Sequence, residues 1–230
     1  MPETEGKARE WRYGALTEIA RREGFSFLVT GHTKSDRAET FLYHLARGAG
    51  TGGLASLTWR RSLTEDLLLV RPLLNVSRVE TLTFCEARQL PIHPDRANED
   101  LHYKRNRVRQ ELIPYLRTRL NPRIEEHLCQ TAAILEAEND YLEEIARGIY
   151  EKAIDRENQR LDRSALRSLP LALQRRVIRR FLAQYLPASP NFAEIEAVVS
   201  LIDAPNRTRT SSLSGSISVQ ARDNWLELVG

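Results

Sequence analysis

Thr30-Gly31-His32-Thr33-Lys34-Ser35-Asp36-Arg37-Ala38-Glu39-Thr40 is the stretch on which the fold turns. The residues leading into it, Phe25-Ser26-Phe27-Leu28-Val29-Thr30, form a short, mostly apolar run with the length and composition of a β-strand. Gly31-His32-Thr33-Lys34 is loop material, and residues 36–47 read as a helix. Upstream, Trp11, Ala15, Ile19 and Ala20 recur at helical spacing within residues 7–23, and Gly24 offers a C-terminal stop. Helix, strand, loop, helix is the rhythm of an open parallel α/β sheet. In such sheets ligands bind beyond the carboxyl ends of the strands, which is where residues 31–34 fall.

Further out the pattern continues. Gly48, Gly50, Gly52 and Gly53 end the second helix, and a second strand is expected at residues 67–70, closed by Arg71-Pro72. Ser77 with Glu80 three residues on forms a capping box for a third helix. Residues 91–100 are irregular and polar, and residues 104–112 look helical up to Pro114. Asn121-Pro122 is a helix start. After it Ile124, Leu128, Thr131, Leu135, Glu138, Leu142, Ile145 and Ile149 alternate by fours and threes, predicting one long helix with a single apolar seam. Pro170 then opens an amphipathic helix to residue 186, and Asn191 caps another to about residue 202. A hairpin is expected from residues 216–221 and 225–229 about a turn at Arg222-Asp223-Asn224. The chain thus divides into residues 1–120, a linker helix at 121–155, and a small, mainly helical domain with a terminal β-hairpin at 156–230. Two parallel strands bury too little to stand alone, so further strands of the first domain are expected upstream of Met1.

Composition narrows the class. No apolar run is long enough to span a bilayer, and the first residues do not form a signal peptide. Cys85 and Cys129 are the only cysteines and form no C-x-x-C pair; this suggests neither zinc nor a disulfide framework, but reduced thiols and a cytoplasmic address. The net charge is only +3, yet it is unevenly placed. Residues 103–123 hold seven basic residues against one acidic, and residues 167–180 hold five arginines and no carboxylate. Such patches fit a polyanionic partner, or simply a solvated helix face.

Asp36 and Glu39, three apart at a helix start, share a face. By spacing alone they read most simply as an N-cap and its capping-box partner, with His32 a plain loop residue. The wider sequence resembles the tRNA(Ile)-lysidine synthetases of the N-type ATP pyrophosphatase (PP-loop) group. That family carries T-G-H-x-x-D-D-Q-x-E-T followed by L-x-R-G-x-G-x-x-G-L. Gly31, His32, Asp36, Glu39 and Thr40 fit it, as do Leu45, Arg47, Gly48, Gly50, Gly53 and Leu54. Ala8-Arg9-Glu10-Trp11-Arg12-Tyr13 resembles its A-R-x-x-R-Y helix. Arg71-Pro72-Leu73-Leu74 and Ser77-Arg78-Val79-Glu80 resemble R-P-L-L-x-x-S/T-R-x-E. Asp95 to Asn98, then Arg105-Asn106-Arg107-Val108-Arg109, resembles D-x-x-N and R-N-x-x-R. Ser35 and Arg37 depart from the family's Asp and Gln. The family's S-G-G-x-D-S phosphate loop and H-x-N/H-H-G-L-R segment do not occur in these residues. Arg47-Gly48-Ala49-Gly50-Thr51-Gly52-Gly53 does not replace the loop: it follows a helix, not a strand, and lacks the Lys-Ser/Thr ending.

The resemblance implies a partial Rossmann-like adenine nucleotide hydrolase-type domain. It also implies that ATP, with Mg2+, adenylates C2–O of the wobble cytidine (position 34) in isoleucine tRNA with a CAU anticodon. The ε-amine of L-lysine then displaces AMP. Under it Asp36, Glu39 and Arg109 are catalytic: the carboxylates hold the ammonium and accept a proton, and Arg109 stabilises the departing phosphate. Arg12 is a second candidate for the phosphate, His32 shapes the nucleotide pocket, and Arg105 and Asn106 contact nucleotide or substrate. Lys104, Arg107, Arg117 and Arg119 would meet the tRNA backbone, and Arg175, Arg176, Arg179 and Arg180 its body. No residue is nominated as a metal ligand, and a homodimer is a possible assembly. Two rivals are a non-catalytic tRNA-binding remnant and a thiolation enzyme of the same group. The second is disfavoured because Cys85 and Cys129 lie outside the matching motifs.

Overall fold

A computed structural model of the chain describes residues 5–93 and 100–229. The D-x-x-N element at Asp95 and Asn98 lies outside the described residues. The chain forms two compact units, Met1–Ala137 and Glu138–Gly230.

The first unit is built on a three-stranded sheet of order β1-β3-β2, comprising β1 (Phe27–Val29), β2 (Arg60–Ser62) and β3 (Leu68–Val70). The two expected strands pair in parallel, Phe27 opposite Leu68 and Val29 opposite Val70. The ladder continues past the strands, with Thr30 N donating to Val70 O at 3.1 Å. Leu69 is fully buried, whereas Phe27 and Val29 on β1 are 62% and 60% exposed. β2 was not expected, because Arg60-Arg61-Ser62 has no apolar run. It is an exposed antiparallel edge strand, returned onto β3 by a turn in which Leu63 N donates to Leu67 O at 2.9 Å. Edge strands facing water need no apolar alternation, so periodicity does not reveal them.

Helix α1 (Glu5–Arg22) ends where expected, with Gly24 in the left-handed region at φ 73°. Helix α2 (Lys34–Leu45) starts earlier than expected, and its cap is Thr33, not Asp36. Asp36 is the third helical residue, whose carboxylate reaches back to Thr33. Glu39 therefore has no capping duty. The glycine-rich stretch folds into the short helix α3 (Thr51–Leu54), against which His44 Nδ1 packs 2.7 Å from Gly53 O. The Ser77–Glu80 capping box opens α4 (Arg78–Ala87) as anticipated.

Residues 104–119 form a continuous helical run that does not stop at Pro114. It passes from α5 (Lys104–Arg107) through a π-helical segment, Val108–Leu112, into α6 (Ile113–Arg119). Proline lacks an amide hydrogen and its ring crowds the carbonyl four residues back. The wider turn, in which Ile113 N donates to Val108 O, accommodates it. Helix α7 (Ile124–Ala153) follows, its expected Asn121 cap displaced slightly: Asn121 Oδ1 accepts from Arg123 N at 2.9 Å in the turn before it.

In the second unit the expected hairpin is part of a larger antiparallel sheet of order β4-β5-β7-β6. These strands are β4 (Ile154–Asp155), β5 (Arg160–Asp162), β6 (Ser218–Arg222) and β7 (Trp225–Val229). Helix α8 (Ser164–Arg167) is one turn; α9 (Leu171–Tyr185) and α10 (Phe192–Val199) are the two predicted helices, α10 capped by Asn191. Val177, Ile178, Phe181 and Leu182 of α9 pack with Tyr150, Leu161, Leu201, Ile202 and Leu226 in one core. Among the described residues no helix is long and apolar enough to cross a membrane.

Candidate active site

Parallel pairing of β1 with β3 sets their carboxyl ends side by side, at Thr30 and Arg71. Beyond them lies a cavity of about 480 Å³. Arg9, Arg12 and Tyr13 of α1 line it, with Thr30, Gly31 and His32 of the loop, Asp36 of α2 and Arg105 of α5. A cavity with three guanidiniums and one carboxylate suits an anionic ligand that also carries or meets a cation.

The loop sets each side chain. His32 Nδ1 lies 2.9 Å from Thr30 Oγ1. Burial, then the charge of Arg71, holds its imidazole below the ordinary histidine value against the opposing pull of Asp36. Asp36 Oδ2 accepts from both the amide and the hydroxyl of Thr33, each at 2.8 Å. Burial alone would raise the Asp36 carboxyl, but the Thr33 bonds and then Arg78 outweigh it and leave its pKa lowered.

One helical turn on, Glu39 is only 1% exposed and is clamped by two guanidiniums. Arg109 Nε and Nη2 bond its two oxygens at 2.8 and 2.9 Å. Arg78 Nη1 reaches Glu39 Oε1 at 3.0 Å while its Nη2 reaches Asp36 Oδ1 at 2.8 Å. The bonds to Glu39 outweigh the opposing effect of burial and raise the Arg109 pKa above its already high ordinary value. Arg105 and Arg109 share a face, as their spacing predicts, and both turn onto α2: Arg105 Nη2 donates to Thr40 Oγ1 at 2.5 Å.

The departures from the family motif also have places. Ser35 is buried, and its Oγ accepts from Arg78 N at 3.3 Å at the start of α4. Arg37 is buried and donates to Glu136 Oε2 at 2.6 Å. Neither lines the cavity. Among the described residues no three His, Cys, Asp or Glu side chains cluster as metal ligands. With Asp36 and Glu39 turned toward guanidiniums, these residues do not form a protein-built Mg2+ site.

Other nominated residues sit elsewhere. Asn106 is buried and donates to Asp100 O at 2.8 Å, tying down the preceding loop. Lys104 and Arg107 are exposed, Arg107 Nε donating to Leu101 O at 2.9 Å. In the second unit the arginine stripe is divided between two carboxylates that counting along residues 167–180 did not include. Arg175 pairs with Glu196 at 2.7 and 2.8 Å. Arg176, Arg179 and Arg180 share Glu143. Sequence reasoning missed Arg9 in the cavity and Arg78 between the carboxylates. Both stand inside matched motif elements, which was the available signal.

The first unit falls in the PP-loop class of ATP-utilising proteins: a family model described as a PP-loop domain matches residues 2–116. A second, described as the TilS substrate binding domain, matches residues 161–226. Relatives agree along nearly the whole chain. The tRNA(Ile)-lysidine synthase of Nostoc sp. (strain PCC 7120) is 48% identical over 239 residues, covering 98% of this chain and 70% of the relative. That of Synechocystis sp. (strain PCC 6803) is 48% identical over 235 residues, with coverage of 100% and 71%. That of Gloeobacter violaceus is 48% identical over 229 residues, with coverage of 100% and 70%. The chain belongs to the tRNA(Ile)-lysidine synthase family, a family of ligases.

Proposed function

We propose that the chain serves ATP-dependent ligation of L-lysine to C2 of the wobble cytidine, position 34, of isoleucine tRNA with a CAU anticodon. The cytidine C2 oxygen attacks the α-phosphate of ATP and pyrophosphate leaves. The lysine ε-amine then adds at C2, and AMP departs with the C2 oxygen. The observation that carries this reading is the single carboxylate, Asp36, facing a cavity in which Arg9, Arg12 and Arg105 also stand.

The chemistry assigns the parts. Arg9, Arg12 and Arg105 meet the phosphates, and Arg12 and Arg105 stabilise charge on the departing AMP. The Arg109 guanidinium, committed to Glu39, orients that carboxylate instead of reaching the phosphate. A lysine amine with an ordinary pKa near 10.4 costs roughly 4–5 kcal/mol to deprotonate at neutral pH. Asp36 binds the ammonium and relays its proton, and Glu39 holds the electrostatic frame through Arg78 and Arg109. His32, kept neutral by burial, shapes the nucleotide pocket. Lys104 and Arg107 bind tRNA phosphates, as do the arginines of α9. The two free thiols, Cys85 and Cys129, suit a reducing, cytoplasmic setting.

The test is incorporation of labelled lysine into a CAU-anticodon isoleucine tRNA, with AMP release, by a polypeptide that includes an S-G-G-x-D-S segment. Asp36→Asn and Glu39→Gln should each lower incorporation by about 100-fold or more. Normal incorporation by Asp36→Asn would sink the reading.

A further inference from the structure

Asp36 and Glu39 differ in what they can offer a ligand. Both Glu39 oxygens are taken, Oε1 by Arg78 Nη1 and Arg109 Nε, and Oε2 by Arg109 Nη2. Asp36 Oδ2 is occupied by Thr33. Only Asp36 Oδ1 remains, and it already holds Arg78 Nη2 at 2.8 Å, with Arg109 Nη2 3.6 Å away. A cation arriving from the cavity therefore meets an oxygen that is already paired with a guanidinium.

The two guanidiniums are not equivalent. Arg109 makes two bonds to Glu39 and its side chain is 23% exposed; Arg78 makes one bond to each carboxylate and is 42% exposed. Loss of the Arg78–Asp36 bond leaves Arg78 tethered by Nη1 to Glu39 and by its backbone amide to Ser35. We propose that Arg78 is a positioning residue that holds Asp36 as a ready carboxylate and yields Asp36 Oδ1 to the incoming alkylammonium group. This rests on the reading of Asp36 as the lysine-binding wall. Exchange of one cation for another never leaves the half-buried Asp36 carboxylate unpaired, which would be unfavourable.

The exchange has a signature opposite in sign to that of a structural brace. If Arg78 competes with the ammonium, its removal tightens lysine binding; if it only braces the site, its removal weakens it. Calorimetric titration with L-lysine, ATP present, of the same polypeptide that includes an S-G-G-x-D-S segment reads the difference, and norleucine, which lacks the side-chain ammonium, is the control. Arg78→Ala should bind L-lysine about two- to fivefold more tightly than the parent, the reach of one partly exposed ion pair. Arg78→Lys should restore the parent affinity, and norleucine should show no gain. Unchanged or weaker L-lysine binding by Arg78→Ala, with the parent binding measurably, overturns the proposal and leaves the Asp36 reading standing. Equal L-lysine binding by Asp36→Asn and the parent, or no binding by the parent, overturns the Asp36 reading and this proposal with it.

Discussion

At the scale of single residues, Thr33 and Asp36 use one set of atoms twice. Their reciprocal bonds close the first turn of α2 and also hold the Asp36 carboxylate in its charged form. Thr33→Ala should cost about 1 kcal/mol of stability and raise the Asp36 pKa, checked by denaturant unfolding and a carboxyl NMR titration. The pH dependence follows in sign. Asp36 and His32 both have folded-state pKa values below their ordinary ones, so the unfolded chain binds more protons as pH falls. Each contribution is complete above the group's ordinary value and is lost as pH drops through its folded value, His32 first and Asp36 in the acid range. Unfolding measured against pH should therefore show a shallower limb just below neutrality in His32→Asn and a shallower acid limb in Asp36→Asn. Superimposable curves would remove these groups from the balance. The sequence reading puts the cap at Asp36; the backbone path puts it at Thr33, a residue type that also caps well.

At the scale of elements, two local conflicts are resolved by packing. Pro114 reads as a helix stop, yet the π-helical turn carries the chain past it with Arg105 and Arg109 both directed at α2. Gly53 reads as one of the glycines that end the second helix, but a Cβ built there would stand 2.7 Å from Ala49 Cβ. The close approach, not a special dihedral, requires glycine. Gly53→Ala should destabilise the protein by about 1–3 kcal/mol in chemical denaturation. Ala49→Gly in the same chain should recover much of that loss; no recovery would mean the clash is not the cause.

At the scale of the molecule, charge counted along the chain and charge presented by the fold diverge. In the first unit Lys104 and Arg107 stay exposed. Replacing both with Ala should weaken tRNA binding and reduce its log–log salt slope by about 1–2, roughly 0.7–0.9 per lost phosphate contact. In the second unit Glu143 and Glu196 take up much of the basic stripe. Arg163 there is buried and donates to Asp223 O, Leu201 O, Ala204 O and Asn206 Oδ1 at 2.7–3.1 Å, fastening the β6–β7 turn. Arg163→Met strands those acceptors and should cost about 2–4 kcal/mol, with faster amide exchange across β6 and β7. Nothing in the local sequence marks it, because its partners lie 38 or more positions away.

The sequence by itself determined most of the longer helices, the two apolar strands and the terminal hairpin, since periodicity, caps and turn residues act over a few positions. It also determined the family, because several spaced motifs in order leave little room for coincidence. Tertiary structure alone decided β2, β4 and β5, whose short or polar strands exist only through pairing. It likewise decided which carboxylate faces the cavity. Asp36 and Glu39 looked equivalent at the start of α2. Distant guanidiniums, Arg78 from α4 and Arg109 from the π-helical turn, seal Glu39 and leave Asp36 at the cavity, a distinction made by electrostatics across 39 to 70 positions that no local pattern encodes.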